Sequence, residues 1–181
     1  MMPAVRTEKD VLEIKNIVDE EAKKAGVEPG KYSFGVMIET LESCGNIAEI
    51  AKHCDFISFG TNDLTQQLFN MSRSDLKAHA HFAEKHGFDP FKKLAPEILE
   101  LVKTVSVKGC EANAGLKIDV CGAQAADPDT AAALCHAGVD NVSVAPSLGN
   151  LHALPVLMNY KIYDSLQEKN QPACNASVTP E

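Results

Sequence analysis

Three apolar runs in this chain each stop on residues able to do chemistry, and that repetition narrows the folds open to it. Val36-Met37-Ile38 stops at Glu39, Phe56-Ile57-Ser58-Phe59 at Gly60-Thr61-Asn62-Asp63, and Ile118-Asp119-Val120 at Cys121-Gly122. Short apolar runs bounded by polar or turn residues read as buried strands. Segments with helical spacing fill the gaps between them, and strands alternating with helices mean parallel βα units. In a (β/α) barrel the side chains at the C-terminal strand ends converge on one face, where the site is built.

The spacing predicts five strands, at roughly 1–5, 33–38, 55–59, 116–120 and 141–145. Five strands do not close an eight-stranded barrel, so the fold class expected is α/β, a partial TIM (β/α)8 barrel. No GxGxxG turn follows any strand, which makes a dinucleotide-binding fold the weaker choice. Thr7 reads as a helix N-cap, with Glu8 and Asp10 in the first turn, Val11, Ile14, Val18 and Ala22 in helical register, and Gly26 as the stop. Ile47, Ile50 and Ala51 mark a short helix. Residues 64–88 are polar, with His79, His81 and His86, and read as a long loop or a short helical excursion with little weight on metal binding. Asp89-Pro90 and Asp127-Pro128 both look like an N-cap followed by proline at the first helical position. The first is expected to open a helix carrying Leu94, Ile98 and Val102, the second a helix running over Ala131–Ala137 into Gly138. Leu148–Tyr160 reads as the last strong helix, so the expected organisation is one domain over 1–165 and a polar tail over 166–181.

A net charge of −8 gives no basic footprint for nucleic acid. It leaves anionic substrates open, because a bound cation can dominate the local field. The six cysteines have no CxxC spacing and read as reduced thiols of an intracellular protein. No apolar run is long enough to span a bilayer or to follow a basic leader. The expected location is the cytoplasm, or an organelle lumen after loss of a targeting segment.

Glu39 and Asp63 end adjacent strands one βα unit apart, which suits joint ligation of one Mg²⁺ (or Mn²⁺) through hard oxygens. Such an ion is a Lewis acid for a carbonyl or enol oxygen. Asn62 and Thr61 can donate to a substrate carboxylate or phosphoryl group, and Gly60 lets the backbone approach the ligand closely. Cys121 is placed to exchange a proton with carbon, its ordinary thiol pKa being about 8.5. Taken singly, a carboxylate at a strand end is usually solvated or capping, and a strand cysteine is usually a small apolar filler. Their conjunction raises both.

Met37-Ile38-Glu39, Ser58-Phe59-Gly60-Thr61-Asn62-Asp63-Leu64-Thr65-Gln66 and Val120-Cys121-Gly122 resemble the C-terminal domain of the phosphoenolpyruvate-utilising enzymes. Met2-Pro3-Ala4-Val5-Arg6-Thr7 resembles the segment that ends the family's fourth barrel strand, so the chain would hold about the last five strands with their helices. Phe69-Asn70-Met71-Ser72-Arg73-Ser74-Asp75 and Asp89-Pro90-Phe91 look most like the pyruvate, phosphate dikinase branch. The resemblance covers roughly residues 1–160. It implies a dikinase-like phosphotransferase in which Glu39 and Asp63 hold Mg²⁺ against the carboxylate and enol oxygens of phosphoenolpyruvate or pyruvate. It further implies that Gly60, Thr61 and Asn62 contact the substrate and that Cys121 protonates the enolate carbon or removes the methyl proton. The phosphoryl group would travel on a histidine of a separate domain.

The resemblance also has gaps. The first barrel strands, with the arginines that clamp phosphate, and the phosphohistidine domain are expected on another chain or absent. Arg6 and Arg73, the two arginines present, match other family positions. Thr40-Leu41 replaces the usual Ile-Pro, and Ala123-Gln124 replaces a Glu-His pair or similar. Two further readings stand beside the first. One is a non-catalytic relic or assembly module, whose open strand edges call for a partner or a homo-oligomer. The other is a Mg²⁺-dependent lyase or aldolase acting on pyruvate enolates. Neither nucleic acid nor a membrane is an expected partner.

Overall fold

A computed structural model of the chain describes residues 1–28 and 30–144. The expected helix Leu148–Tyr160, the end of the fifth strand at Ala145, and the tail lie outside the described residues. Helix α1 (Glu8–Lys24) leads into strand β1 (Gly35–Ile38), helices α2 (Leu41–Gly45) and α3 (Ile47–Ile50), and strand β2 (Phe56–Gly60). Helices α4 (Thr61–Phe69), α5 (Leu76–His86) and α6 (Pro96–Ala112) precede strand β3 (Lys117–Cys121). Helix α7 (Pro128–His136) and strand β4 (Asn141–Ser143) follow. The four strands form one parallel sheet in the order β1-β2-β3-β4. Register pairs Ile38 with Phe59, Gly60 with Cys121, and Cys121 with Ser143, so the strand ends are level. This singly wound order is compatible with one sector of a barrel.

Alternation along the strands separates two faces. Val36, Ile38, Ile57, Phe59, Ile118 and Val120 are buried on one of them, in a single core with Val11, Ile47, Ile50, Ile98, Val102 and Leu134 of the helices. Each apolar side chain of this size contributes about 1.5–3 kcal/mol when fully buried. The opposite face carries Met37, Ser58, Gly60, Asp119, Cys121, Asn141 and Ser143, in which polar groups dominate. Two aspartates seat the strands at their N-terminal ends. Asp55 Oδ2 accepts from the Phe34 amide at 2.6 Å and Asp140 Oδ2 from the Ile118 amide at 2.8 Å.

Three expectations need correction. Residues 1–5 make an isolated bridge between Met2 and Val36 rather than a strand. Met2 pairs on both sides with β1, but the next ladder donor, the Ala4 amide, sits in a left-handed residue at φ 56° and goes to Glu39 Oε1 instead. Residues 64–88 are mostly helical, as the rest of α4 and all of α5. The sequence hides α5 because its inner face is narrow. Phe82 packs there in a small satellite core with Met71 and Phe91, and the buried His79 ring stacks on Phe91 at 4.6 Å. Asp89-Pro90 does not open α6. Asp89 makes one isolated turn, its carbonyl accepting from Lys92 and Lys93, and α6 starts at Pro96. The residue before a proline is driven out of helical geometry, and Ala95 accordingly sits at ψ 143°.

Other local expectations hold. Thr7 and Asp10 form a capping box on α1, and Asp127 Oδ2 accepts from the Thr130 amide at 2.8 Å as the cap of α7. No described helix is long and apolar enough to cross a membrane. Asp127→Ala should cost about 1 kcal/mol, read as a lower urea midpoint with an unchanged slope.

Candidate functional site

Glu39 follows β1 directly, and its position is fixed from two sides. Its Oε1 accepts from the Ala4 amide at 2.6 Å, which gives the left-handed turn at Ala4 a partner. Its side chain lies over Gly60, where an added Cβ would sit 2.7 Å from Glu39 Cβ and 3.2 Å from Oε2. Glycine at 60 is therefore required for the carboxylate to rest against β2. Gln67 of α4 reaches back to the same turn, donating to the Glu39 carbonyl at 3.3 Å and accepting from the Leu41 amide at 2.9 Å.

Helix α4 starts immediately after β2, with Gly60 as a cap residue that has no side chain to offer. The first-turn amides are thus left for another acceptor. Asp63 is exposed there, and its Oδ1 accepts from Gln66 Nε2 at 2.9 Å. Gln66 Oε1 in turn accepts from the Arg73 amide at 2.9 Å, bringing the 71–75 segment over the strand ends. Asn62 Oδ1 accepts from the Ala123 amide at 3.2 Å, and its Nδ2 has no hydrogen-bond partner among the described residues.

Thr61 does something other than its sequence reading suggests. It is 1% exposed, and its hydroxyl donates to Gln124 Oε1 at 2.9 Å. Gln124 is fully buried and donates through Nε2 to Thr65 Oγ1 at 3.2 Å and to the Pro90 carbonyl at 2.9 Å. The Thr65 hydroxyl in turn donates to the Thr61 carbonyl at 2.7 Å. Any contact of Thr61 with a substrate is left to its backbone. Gly122 completes this clamp, since a Cβ there would fall 1.9 Å from Thr61 Oγ1.

Cys121 is half-buried at the end of β3, with the Ser58 hydroxyl donating to its Sγ at 3.7 Å. The other described cysteines are buried. Burial pushes the Cys44 thiol up to about 11, and burial with the nearby Asp55 charge pushes Cys54 to about 12. Those two are packing residues, as expected.

Met37, Gly60, Asn62, Asp63, Arg73 and Cys121 line one cleft of about 730 Å³. Arg73 is the addition that sequence reasoning missed as a site residue. Its signal was present in the scarcity of arginine, but only the turn held by Gln66 reveals that it faces the strand ends. Arg6, by contrast, is exposed in the turn before α1, its carbonyl accepting from Asn46.

The chain belongs to the phosphoenolpyruvate-utilising enzyme family. Residues 1–150 match the family described as "PEP-utilising enzyme, PEP-binding domain". The chain is 35% identical over 153 residues to pyruvate, phosphate dikinase 1, chloroplastic, of Arabidopsis thaliana, a match covering 81% of this chain and 16% of that enzyme. Against the enzyme of the same name in Oryza sativa subsp. japonica the identity is 34% over 168 residues, 87% of this chain and 18% of the relative. The Zea mays enzyme is 36% identical over 155 residues, 81% of this chain and 16% of the relative. The chain thus spans less than a fifth of the length of these curated relatives.

The donor set suits a hard divalent cation. Glu39 and Asp63 each engage one carboxylate oxygen with protein, leaving Glu39 Oε2 and Asp63 Oδ2 without a hydrogen bond among the described residues. No cluster of three or more His, Cys, Asp or Glu side chains set to hold a metal occurs among the described residues. A cation here would take its remaining ligands from water or substrate, as Mg²⁺ commonly does. Gly122→Ala should force Thr61 off Gln124 and lower stability by about 1–3 kcal/mol. Thermal unfolding by circular dichroism measures this as a drop in Tm.

Proposed function

We propose that this chain is the phosphoenolpyruvate- and pyruvate-binding part of a dikinase-like phosphotransferase, its sheet forming a sector of a (β/α)8 barrel. One observation carries the reading. Groups for three separate tasks meet at the strand ends: Asp63 in the cleft wall and Glu39 resting over the adjoining Gly60, each with a spare oxygen, the Cys121 thiol, and the Arg73 cation.

A compact dianion such as enolpyruvate fits these groups. Its carboxylate is matched by Nδ2 of Asn62, without a partner among the described residues, and by the first-turn amides of α4, where the helix dipole favours negative charge. Arg73 offers a forked donor set to a carboxylate or phosphoryl group. Glu39 and Asp63 would hold Mg²⁺ through their spare oxygens. When bound, that ion would withdraw charge from a carbonyl or enol oxygen. Cys121, below the cleft at the strand ends, would give a proton to the enolate carbon or take one from the methyl group of pyruvate. The phosphoryl group would arrive on a histidine carried outside this chain.

Calorimetric titration with oxalate, a planar mimic of enolpyruvate, tests this reading on the full chain. Binding should require Mg²⁺ and weaken about tenfold or more in Asp63→Ala and in Arg73→Ala, tenfold being about 1.4 kcal/mol. Absence of Mg²⁺-dependent binding in the wild type would favour the reading as a non-catalytic module.

A further inference from the structure

His79 is the one buried histidine among the described residues, at 8% exposed. Its ring stacks on Phe91 with centroids 4.6 Å apart, beside the satellite core of Met71, Phe82 and Phe91. Phenylalanine would fill that position as well, so packing alone gives no reason for an imidazole. What the imidazole adds is one polar contact, between Nε2 and the Ser72 carbonyl at 3.1 Å. A carbonyl only accepts, so Nε2 carries the proton and donates.

Ser72 opens the turn that carries Arg73. Its carbonyl also accepts from the Asp75 amide at 3.0 Å, so Ser72–Asp75 is a four-residue turn with Arg73 in its second position. The two lone pairs of that carbonyl are thus filled, one from within the turn and one from α5. Gln66 Oε1 holds the Arg73 amide over the strand ends at 2.9 Å, but that contact does not by itself fix the shape of the turn. Ser72, Arg73, Ser74 and Asp75 are all exposed, so water competes for their backbone groups.

We propose that His79 is a positioning residue for anion binding: its Nε2–H fixes the turn that presents the Arg73 guanidinium to a carboxylate or phosphoryl group in the cleft. This rests on the reading of the cleft as the phosphoenolpyruvate and pyruvate site. An arginine side chain loses rotamer freedom when it binds, and affinity falls further when the backbone beneath it must be ordered at the same moment. With the turn set in advance from α5, only the side chain is left to order. His79 acts through the Ser72 carbonyl, one residue before Arg73, rather than by contact with the ligand.

Two variants separate the donor from the ring. His79→Phe keeps a ring to stack on Phe91 and loses the donor, whereas His79→Gln keeps a donor near the place of Nε2 and loses the ring. Hydrogen exchange of the full chain without ligand, followed by mass spectrometry, reads the turn directly. His79→Phe should speed exchange in the peptide spanning 72–76 by about three- to tenfold and leave peptides of α6 unchanged, while His79→Gln stays within about twofold of the wild type. Titration of oxalate with Mg²⁺ reads the consequence. Affinity should fall in His79→Phe by about the same factor and hold in His79→Gln. The double variant Arg73→Ala/His79→Phe should bind no more weakly than Arg73→Ala alone, because His79 acts through Arg73. Should His79→Phe fold poorly, His79→Leu is the donor-free replacement, with the same results expected. Unchanged exchange without the donor, equal losses in His79→Phe and His79→Gln, or a further loss in the double variant would overturn the proposal. A wild type that binds no oxalate would tell against the reading of the cleft, while the exchange data would still decide whether His79 holds the turn.

Discussion

Gln124 is a primary amide sealed away from water, so its polar atoms must find partners inside the protein. They do so in three different segments. Thr61 belongs to the turn from β2 into α4, Thr65 to the next turn of that helix, and Pro90 to the stretch between α5 and α6. Gln124 itself follows Cys121 by three residues. The side chain therefore ties the uncapped start of α4, the thiol-bearing strand end and the returning excursion to one another. Removing it would strand several buried donors and acceptors at once, at about 1–3 kcal/mol for each left unpaired. Gly122 is what allows the approach, since any larger residue would occupy the space of the Thr61 hydroxyl. The carboxylates, Arg73 and the thiol are arranged around this buried clamp rather than by contacts with one another.

The two faces of the sheet divide the labour. The helix-covered face is uniformly aliphatic or aromatic and supplies the cohesion of the fold. The other face carries Met37 and Phe56 but is otherwise small or polar, and Gly60 sits where a larger residue would block Glu39. Stability and chemistry are thus assigned to alternate residues of the same strands. A one-residue slip in register would exchange them and destroy both. The paired aspartates at the opposite strand ends, Asp55 and Asp140, fix that register through backbone amides.

Much of this was legible in the sequence because the strands are short, buried and end abruptly. The bounds of β1, β2 and β3 fall within two residues of expectation, and Glu39, Asn62, Asp63 and Cys121 are found where their strands end. What was hidden depends on partners distant in sequence. The buried face of α5 relies on a histidine stacked against Phe91, which no periodicity of apolar residues marks. Thr61 looked like a substrate donor because its use by Gln124 requires knowing that Gly122 stands against it. Arg73 reaches the cleft only through Gln66, whose amide serves Asp63 and the Arg73 backbone together. Residues 1–5 had the composition of a strand, and the left-handed turn at Ala4, its amide taken by Glu39, limited them to one bridge.

The central claim is that Glu39, resting over Gly60, and Asp63, in the first turn of α4, present their spare oxygens to one divalent cation. Electron paramagnetic resonance of Mn²⁺ added to the full chain addresses it directly. A single bound site is predicted, lost in Glu39→Gln and equally in Asp63→Asn while the thermal midpoint of each variant stays near that of the wild type. Mn²⁺ binding that survives both substitutions, or that depends on only one of them, would contradict the account.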